Sequence, residues 1–261
     1  MAAAKMNLYI MKTIVQATIL LITLCSFDVN KHSNTNRVFS GKIIMAKKDS
    51  LILNKYSYDS AGNMITDESK YYYIQYNYNK KNQLISIYDY RDEGDLSSNI
   101  QVVEAYEKRT TWVNPQNKRT HYTTTYEYDE KGQMSKSNND YGYLTYEYDD
   151  HNRINKETYF DIFGKRSAIY INSYDKNNNL INRKEYRVIA AEKNSLVHET
   201  KFEFDNKNNP FKGSKNSLIP GIDTNPNNIV KYNWISVIEI SYVYNEFGYP
   251  IKKDDIEFVY K

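Results

Sequence analysis

The sequence predicts an all-β fold of consecutive antiparallel β-hairpin repeats forming a long curved sheet or a partly closed barrel. Three observations predict it. The phrase Tyr126-Glu127-Tyr128-Asp129-Glu130-Lys131-Gly132-Gln133-Met134 recurs in variations along the chain. Tyrosine supplies 27 of the 261 residues, against 9 Phe and 2 Trp. Mean hydropathy is -0.77, which suits a thin core or a repeat array better than a thick sandwich.

The phrase reads physically as one hairpin. Tyr126 and Tyr128 are two apart and share a face of a strand, where tyrosine covers a half-buried pleated surface well. Asp129 opens a tight turn, its carboxylate accepting from a backbone N–H two residues on. Gly132 sits where a type I turn with a G1 bulge requires positive φ. Gln133 and Met134 begin the return strand.

The other copies keep the same restricted positions. Asp59 is followed by Gly62, Asn79 by Asn82, Asp149 by Asn152, Asp175 by Asn178, Asp205 by Asn208 and Asn245 by Gly248. Gly and Asn are the residues that tolerate the left-handed region. Asp161 to Gly164 and Asn114-Pro115-Gln116-Asn117 are shorter matches, the second with Pro where a type I turn favours it. The recurring step of 20 residues between turns, as from Asp59 to Asn79 and from Asp129 to Asp149, fits two strands and two turns.

In chain order, residues 1–25 form a leader. Lys5 and Lys12 make a basic start, and Thr13 to Leu24 is an apolar run shorter than a membrane span. Cys25, the one cysteine, stands where a lipoprotein signal places its lipidated residue. Leu24 departs from the small residue usual before that cysteine, so lipidation and plain secretion stand as alternatives. Residues 26–37 read as a tether. Residues 38–261 form the repeat domain, with its first strands at Ile43-Ile44-Met45 and Leu51-Ile52-Leu53. Ile100 to Trp112 and Thr120 to Tyr128 read as a strand pair around Asn114-Pro115, and Val188 to Glu192 as a short helical turn. Residues 206–228, with three prolines, form a long irregular loop, either a connector or a binding loop on a rigid scaffold. The chain ends in a strand, Ile256 to Tyr260.

Formal charge is +3; the leader removes two lysines and leaves +1, with both signs interspersed, so nucleic acid is not expected as a partner. His32, His121, His151 and His198 lack metal-ligand spacing. Asp149-Asp150 and Asp254-Asp255 are paired acids, but the repeat aspartates already serve as turn initiators. No metal, cofactor or catalytic residue is expected. The one feature with a binding alternative is the tyrosine rows: Tyr126, Tyr128, Tyr146 and Tyr148, if exposed, can stack on sugar rings, and otherwise pack across strands in place of an aliphatic core.

The pattern Tyr-x-Tyr-Asp-x-x-Gly-x-apolar resembles the YD (RHS) repeat of bacterial cell-surface and secreted proteins, best in Tyr56 to Ile65, Tyr126 to Met134 and Tyr146 to Ile154. Phe202 to Gly213 and Tyr242 to Pro250 resemble the C-terminal half of uncharacterised YD-like envelope lipoproteins. The resemblance spans roughly residues 50 to 260 and implies hairpin repeats rather than an activity. In large RHS proteins such repeats enclose a toxin; this chain has too few repeats for that and lacks the self-cleaving core motif. The function expected is a non-catalytic exported envelope protein, a scaffold or adhesion-type module for protein or polymer, at the cell surface, in the periplasm or secreted. Its contact with a membrane would run only through a lipid anchor at Cys25. A glycan-binding module and a hydrolase with an unrecognised acid pair are the alternatives.

Overall fold

A computed structural model describes residues 40–91, 112–117, 120–188, 194–212 and 225–261. These described residues form one antiparallel sheet of 17 strands. The first five are β1 (Ile43–Lys48), β2 (Leu51–Tyr58), β3 (Met64–Glu68), β4 (Tyr72–Tyr78) and β5 (Leu84–Arg91). Next come β6 (Thr120–Tyr128), β7 (Met134–Asn139), β8 (Gly142–Tyr148), β9 (Ile154–Asp161), β10 (Arg166–Tyr174) and β11 (Leu180–Val188). The last are β12 (Asn194–Phe204), β13 (Ile229–Asn233), β14 (Val237–Glu239), β15 (Tyr242–Tyr244), β16 (Pro250–Lys253) and β17 (Ile256–Tyr260). Among the described residues the one helical element is a 3-10 turn at Pro115–Asn117.

Each strand from β1 to β14 pairs with its neighbour in sequence, as do β15 to β17. β1 also pairs with β17, Met45 lying opposite Val259. The two ends of the repeat domain are therefore neighbours, and the sheet curls round. No ladder joins β14 to β15, so the sheet is curved and not closed into a barrel. Those two strands follow one another through Ile240 and Ser241. Ile240 N–H donates to the Val230 carbonyl at 2.8 Å, and the Ser241 carbonyl accepts from Asp254 N–H at 2.8 Å. The extended run thus hands its pairing from β13 to β16.

The hairpins follow from the turn residues. In the Asp129 turn, Gly132 N–H donates to the Asp129 carbonyl at 3.0 Å, and Asp129 N–H to the Gln133 carbonyl at 2.8 Å. The Asp129 carboxylate accepts from Gln133 N–H at 2.8 Å. Gly132 has φ 80°, and its counterparts are equally left-handed: Gly62 at 89°, Asn82 at 58°, Asn152 at 60°, Asn178 at 67° and Gly248 at 75°. The register slips one residue before the second aromatic of each repeat, at Ser57/Tyr58, Asn77/Tyr78, Glu127/Tyr128 and Glu147/Tyr148. That slip is the bulge the turn type predicts.

The turn at Asp205 departs from expectation. Asn208 is not left-handed, and Asp205 N–H donates to the carbonyl of Asn228 at 3.0 Å. Asn228 N–H returns a bond to the Asp205 carboxylate at 3.1 Å. Asn228 therefore takes the place that Gln133 has after Asp129, and the long loop is an insertion inside a turn of the repeat. β6 pairs with β5 along Thr120 to Thr125 and with β7 along Thr125 to Tyr128. The strand expected over residues 100–111, the leader, Cys25 and the tether lie outside the described residues, as does the helical turn expected over 188–192 except for Val188, which ends β11.

One face of the sheet carries the core. Met64, Tyr76, Leu84, Ile87 and Tyr126 form the largest buried cluster, with Ala46, Leu53 and Ile256, and Leu180, Phe202 and Tyr232, as smaller ones. The opposite face carries cross-strand ion pairs: Lys47–Glu257 at 2.8 Å, Lys156–Glu147 at 2.6 Å and Lys231–Glu239 at 3.2 Å. Each contributes about 0.2–1 kcal/mol. A lipid-facing strand would lose about 2–4 kcal/mol per mid-plane lysine, so this face belongs in water.

Gly132 tests the turn argument. Gly132→Asn is expected to cost under about 1 kcal/mol and Gly132→Val clearly more, since a β-branched residue resists positive φ. Urea denaturation midpoints check this; equal losses would remove left-handed geometry as the reason for the residue.

Candidate binding site

The two aromatics of each repeat have different jobs. The first is core: Tyr76 is 5% exposed, and Tyr126, Tyr146 and Phe202 are 8% exposed. The second is half-buried, and in most repeats its hydroxyl donates to a backbone carbonyl on the preceding strand, Tyr244 donating instead to the Asp205 carboxylate. Tyr58 donates to Ile43 at 2.8 Å, Tyr78 to Met64 at 2.9 Å and Tyr128 to Leu84 at 2.8 Å. Tyr148 donates to Met134 and Tyr174 to Ile154, both at 2.8 Å, and Tyr260 to Pro250 at 2.6 Å. Burial holds these phenols protonated; that of Tyr148 is pushed up to about 12. Tyr146 shares a 2.6 Å bond with the Ser137 hydroxyl. The four tyrosines proposed as a stacking row thus present no open row of ring faces. Tyr126 and Tyr146 lie in the core because their side of the strand is the inward one, and Tyr128 and Tyr148 are tied to the backbone.

The turns themselves are joined along one rim. The residue after five of the left-handed positions, which the sequence pattern leaves open, is polar and reaches the next turn. Asn63 donates to the Asn82 side chain at 3.3 Å, Gln83 to the Gly132 carbonyl at 3.3 Å and Gln133 to the Asn152 side chain at 3.0 Å. Arg153 continues to Asn178 at 3.0 Å, and Asn179 to Asn227 at 3.0 Å. Asn208 then donates to the Phe247 carbonyl, next to Gly248, at 2.9 Å. The predicted turn residues Asp59, Gly62, Asp129, Gly132, Asp149, Asn152, Asp205 and Gly248 all belong to this rim. The Asn63 amide holds the Asp59 carboxyl below its ordinary value. The paired acids are likewise engaged: Asp149 pairs with Arg153 at 2.7 Å, Asp254 accepts from Ser241 N–H at 2.9 Å and Asp255 pairs with Lys48 at 3.0 Å.

At this rim the inserted segment turns inward. Asn208 N–H donates to the Gly248 carbonyl and Asn209 N–H to that of Pro226. Phe211 then packs against Tyr56, ring centroids 6.1 Å apart. A cleft of about 310 Å³ remains between the insertion and the sheet, lined by Lys42, Tyr58, Tyr78, Phe211, Lys212 and Tyr249 among others. That volume lies at the lower end of the range for small-molecule sites. The Lys42 ammonium stands 5.2 Å from the centre of the Tyr58 ring.

Deeper on the inward face lie charges that no sequence motif announced. Glu157 is 1% exposed and pairs with Arg183. Asn172 bridges them, donating to Glu157 at 3.0 Å and accepting from Arg183 at 3.1 Å, and Arg183 lies 4.3 Å over the Tyr170 ring. Glu157 faces Tyr170 and Asn172 faces Arg183 across the ladders, so only the register brings the group together. Asp67 accepts from Asn54 at 2.9 Å, and Asp89 is held by Arg91 at 2.8 Å. Burial pushes the Asp67 carboxyl up to about 7, against the hydrogen bonds from Asn54 and Tyr72.

No family model matches the chain, and no curated protein matches it. Solved structures similar to it include TcdB2-TccC3 without its hypervariable C-terminal region, at 16% identity and TM-score 0.31 over 59% of this chain. A porin-like protein from Bacteroides uniformis matches at 13% identity and TM-score 0.46, over 80% of this chain and 89% of that one. The Photorhabdus luminescens Tc holotoxin pore matches at 11% identity and TM-score 0.25 over 77% of this chain. The chain spans 8% and 10% of the first and third of these. At such scores the likenesses carry nothing about activity.

Two predictions follow from these contacts. Tyr148→Phe removes a hydroxyl from the Met134 carbonyl and is expected to cost about 0.5–1.5 kcal/mol. Tyr73→Phe, on the opposite face, is expected to be neutral; thermal unfolding compares the two. Asp67 sets a pH dependence. Its folded-state value of about 7 exceeds the ordinary 3.8, so the folded chain binds more protons between those values and stability falls as pH rises through that window. Asp67→Asn is expected to remove this fall and to raise the denaturation midpoint at pH 8 relative to the parent; an unchanged pH profile would exclude Asp67 as its source.

Proposed function

We propose that this chain is an exported, non-catalytic β-repeat module of the YD-repeat kind that works in the bacterial envelope by binding another protein or a polymer. The observation that carries the reading is the fate of the repeat's own chemistry. The repeat aspartates are engaged with turn N–H groups, and the second tyrosines with backbone carbonyls. The acids suited to hydrolysis, Glu157 and Asp89, are bound by arginines. What the sheet offers outward is a charged, solvated face and a rim whose turns are linked into one continuous edge, a rigid platform of the kind that carries binding segments. The basic and apolar leader supports export, and Cys25 is the residue that would carry a lipid anchor.

Co-sedimentation of the full chain with insoluble polymers, peptidoglycan among them, tests the reading. Retention on a polymer without release of soluble fragments is the expected result. Release of reducing ends that disappears in Glu157→Gln would replace it with the hydrolase alternative.

A further inference from the structure

The cleft at the turn rim differs from the rest of the surface in its charge bookkeeping. On the outward face, lysines stand opposite glutamates in the ladder: Lys136 opposite Glu127, Lys156 opposite Glu147, Lys184 opposite Glu199. Lys42 and Lys212, the two lysines lining the cleft, pair with no carboxylate among the described residues, and no Asp or Glu lines the cleft with them. The other polar side chains around it are already engaged. Tyr58 and Tyr78 donate to the Ile43 and Met64 carbonyls, and Ser40 to the Lys261 carbonyl. Asn63 donates to Asp59, Asn208 to Phe247 and Asn209 to Asn225. The cationic side chains of the lining are the two ammonium groups, and between them they ask for an anion.

The walls add a second requirement. The Tyr58 ring lies beneath Lys42, and Tyr78, Tyr249 and Phe211 complete an aromatic surround. A small inorganic ion would leave that surround unused. A sugar ring offers C–H groups to aromatic faces, and a sugar acid adds the carboxylate. We propose that this cleft binds a carboxylated sugar unit, its carboxylate between Lys42 and Lys212 and its ring against Tyr58. The proposal rests on the binding-module reading and names the polymer class: an acidic polysaccharide.

Isothermal titration of the full chain with glucuronate, glucose and inorganic sulfate tests it, on the parent and on Lys42→Gln and Lys212→Gln, with melting temperatures recorded for each. The expected result is glucuronate binding that weakens with added salt, falls about tenfold or more in either variant through loss of a charge-assisted bond, and exceeds binding of glucose and of sulfate. Glucose binding as tightly as glucuronate would overturn the role of the lysines. Sulfate binding as tightly would overturn the role of the ring wall, leaving a bare oxyanion site. Glucuronate binding unchanged in both variants, or no binding by the parent at millimolar concentrations, would also overturn the proposal. Polymer retention that survives in both lysine variants would sink the cleft while the module reading stands. Glucuronate binding in a chain that retains no polymer would do the reverse.

Discussion

The structure depends on a backbone carbonyl that the sheet cannot pair. At the turn rim each of these ladders stops two residues short of the strand end. β7 and β8 pair from Lys136 with Thr145, and Met134 lies beyond the last pair. Leu84, Ile154 and Met64 lie equally beyond theirs. The bulge and the strong local twist that accompany this turn type make such splaying natural. A carbonyl left there beside a hydrophobic cluster would forfeit a hydrogen bond. The second tyrosine of the next repeat supplies the missing donor from its own side chain, so the aromatic ring fills the core while its hydroxyl extends the ladder. This explains why the position is tyrosine in the well-kept repeats. Phe204 is the instructive departure. It has no hydroxyl to offer a carbonyl, and the bond formed beside it is of the opposite sense: the Leu180 N–H donates to the Asn225 side chain of the insertion at 2.6 Å.

How much of this was legible in the sequence varies with the physics of each position. The turns were legible because positive φ admits few residue types, and Gly62, Asn82, Gly132, Asn152 and Gly248 therefore announce themselves. The first and last strands were legible as apolar runs. The side of the sheet that faces inward was not, because a period of two assigns Tyr126 and Tyr128 to one face without saying which face is covered. The residue after the left-handed position was read as unrestricted, yet Asn63, Gln83, Gln133, Arg153 and Asn179 all use a long or amide side chain to reach a neighbouring turn. Several residue types satisfy that need, so composition hides it. The insertion was visible as a loop, but not as an interruption of the Asp205 turn, because Asn208 mimics the residue the repeat requires there. The pairing of β6 with β5 was not legible, because β5 lies across a long connection that no local turn signal spans.

The two faces handle charge in opposite ways. Outward, Lys and Glu alternate across the ladders in water, where each pair adds little and mainly keeps the surface soluble. Inward, Glu157 and Arg183 are desolvated together. Their attraction is offset by the cost of leaving water, so a pair of this kind is weak evidence of net stability. What it does impose is register. Glu157 on β9, Asn172 on β10 and Arg183 on β11 meet only if both ladders are in phase, and a slip of one residue would bury one charge without the other. Three strands built from similar Tyr-rich phrases have alternative pairings close at hand, and the buried group penalises them.

The cleft depends on the same curvature. Lys42 and Tyr249 come from the two ends of the repeat domain, and Phe211 and Lys212 from the insertion, while Tyr58 and Tyr78 belong to the early repeats. These are brought together only because β1 pairs with β17 and because the run from Val237 to Tyr244 passes from one neighbour to the other without a gap in the chain. An extended, flat array of the same hairpins would keep every turn and every tyrosine bond, yet would leave Lys42 far from Tyr249 and would have no cleft. The repeats therefore account for the sheet, and the meeting of its ends accounts for the site. In a repeat protein whose individual units are chemically occupied with holding themselves together, the place where the array returns to its start is where side chains are left over for a ligand.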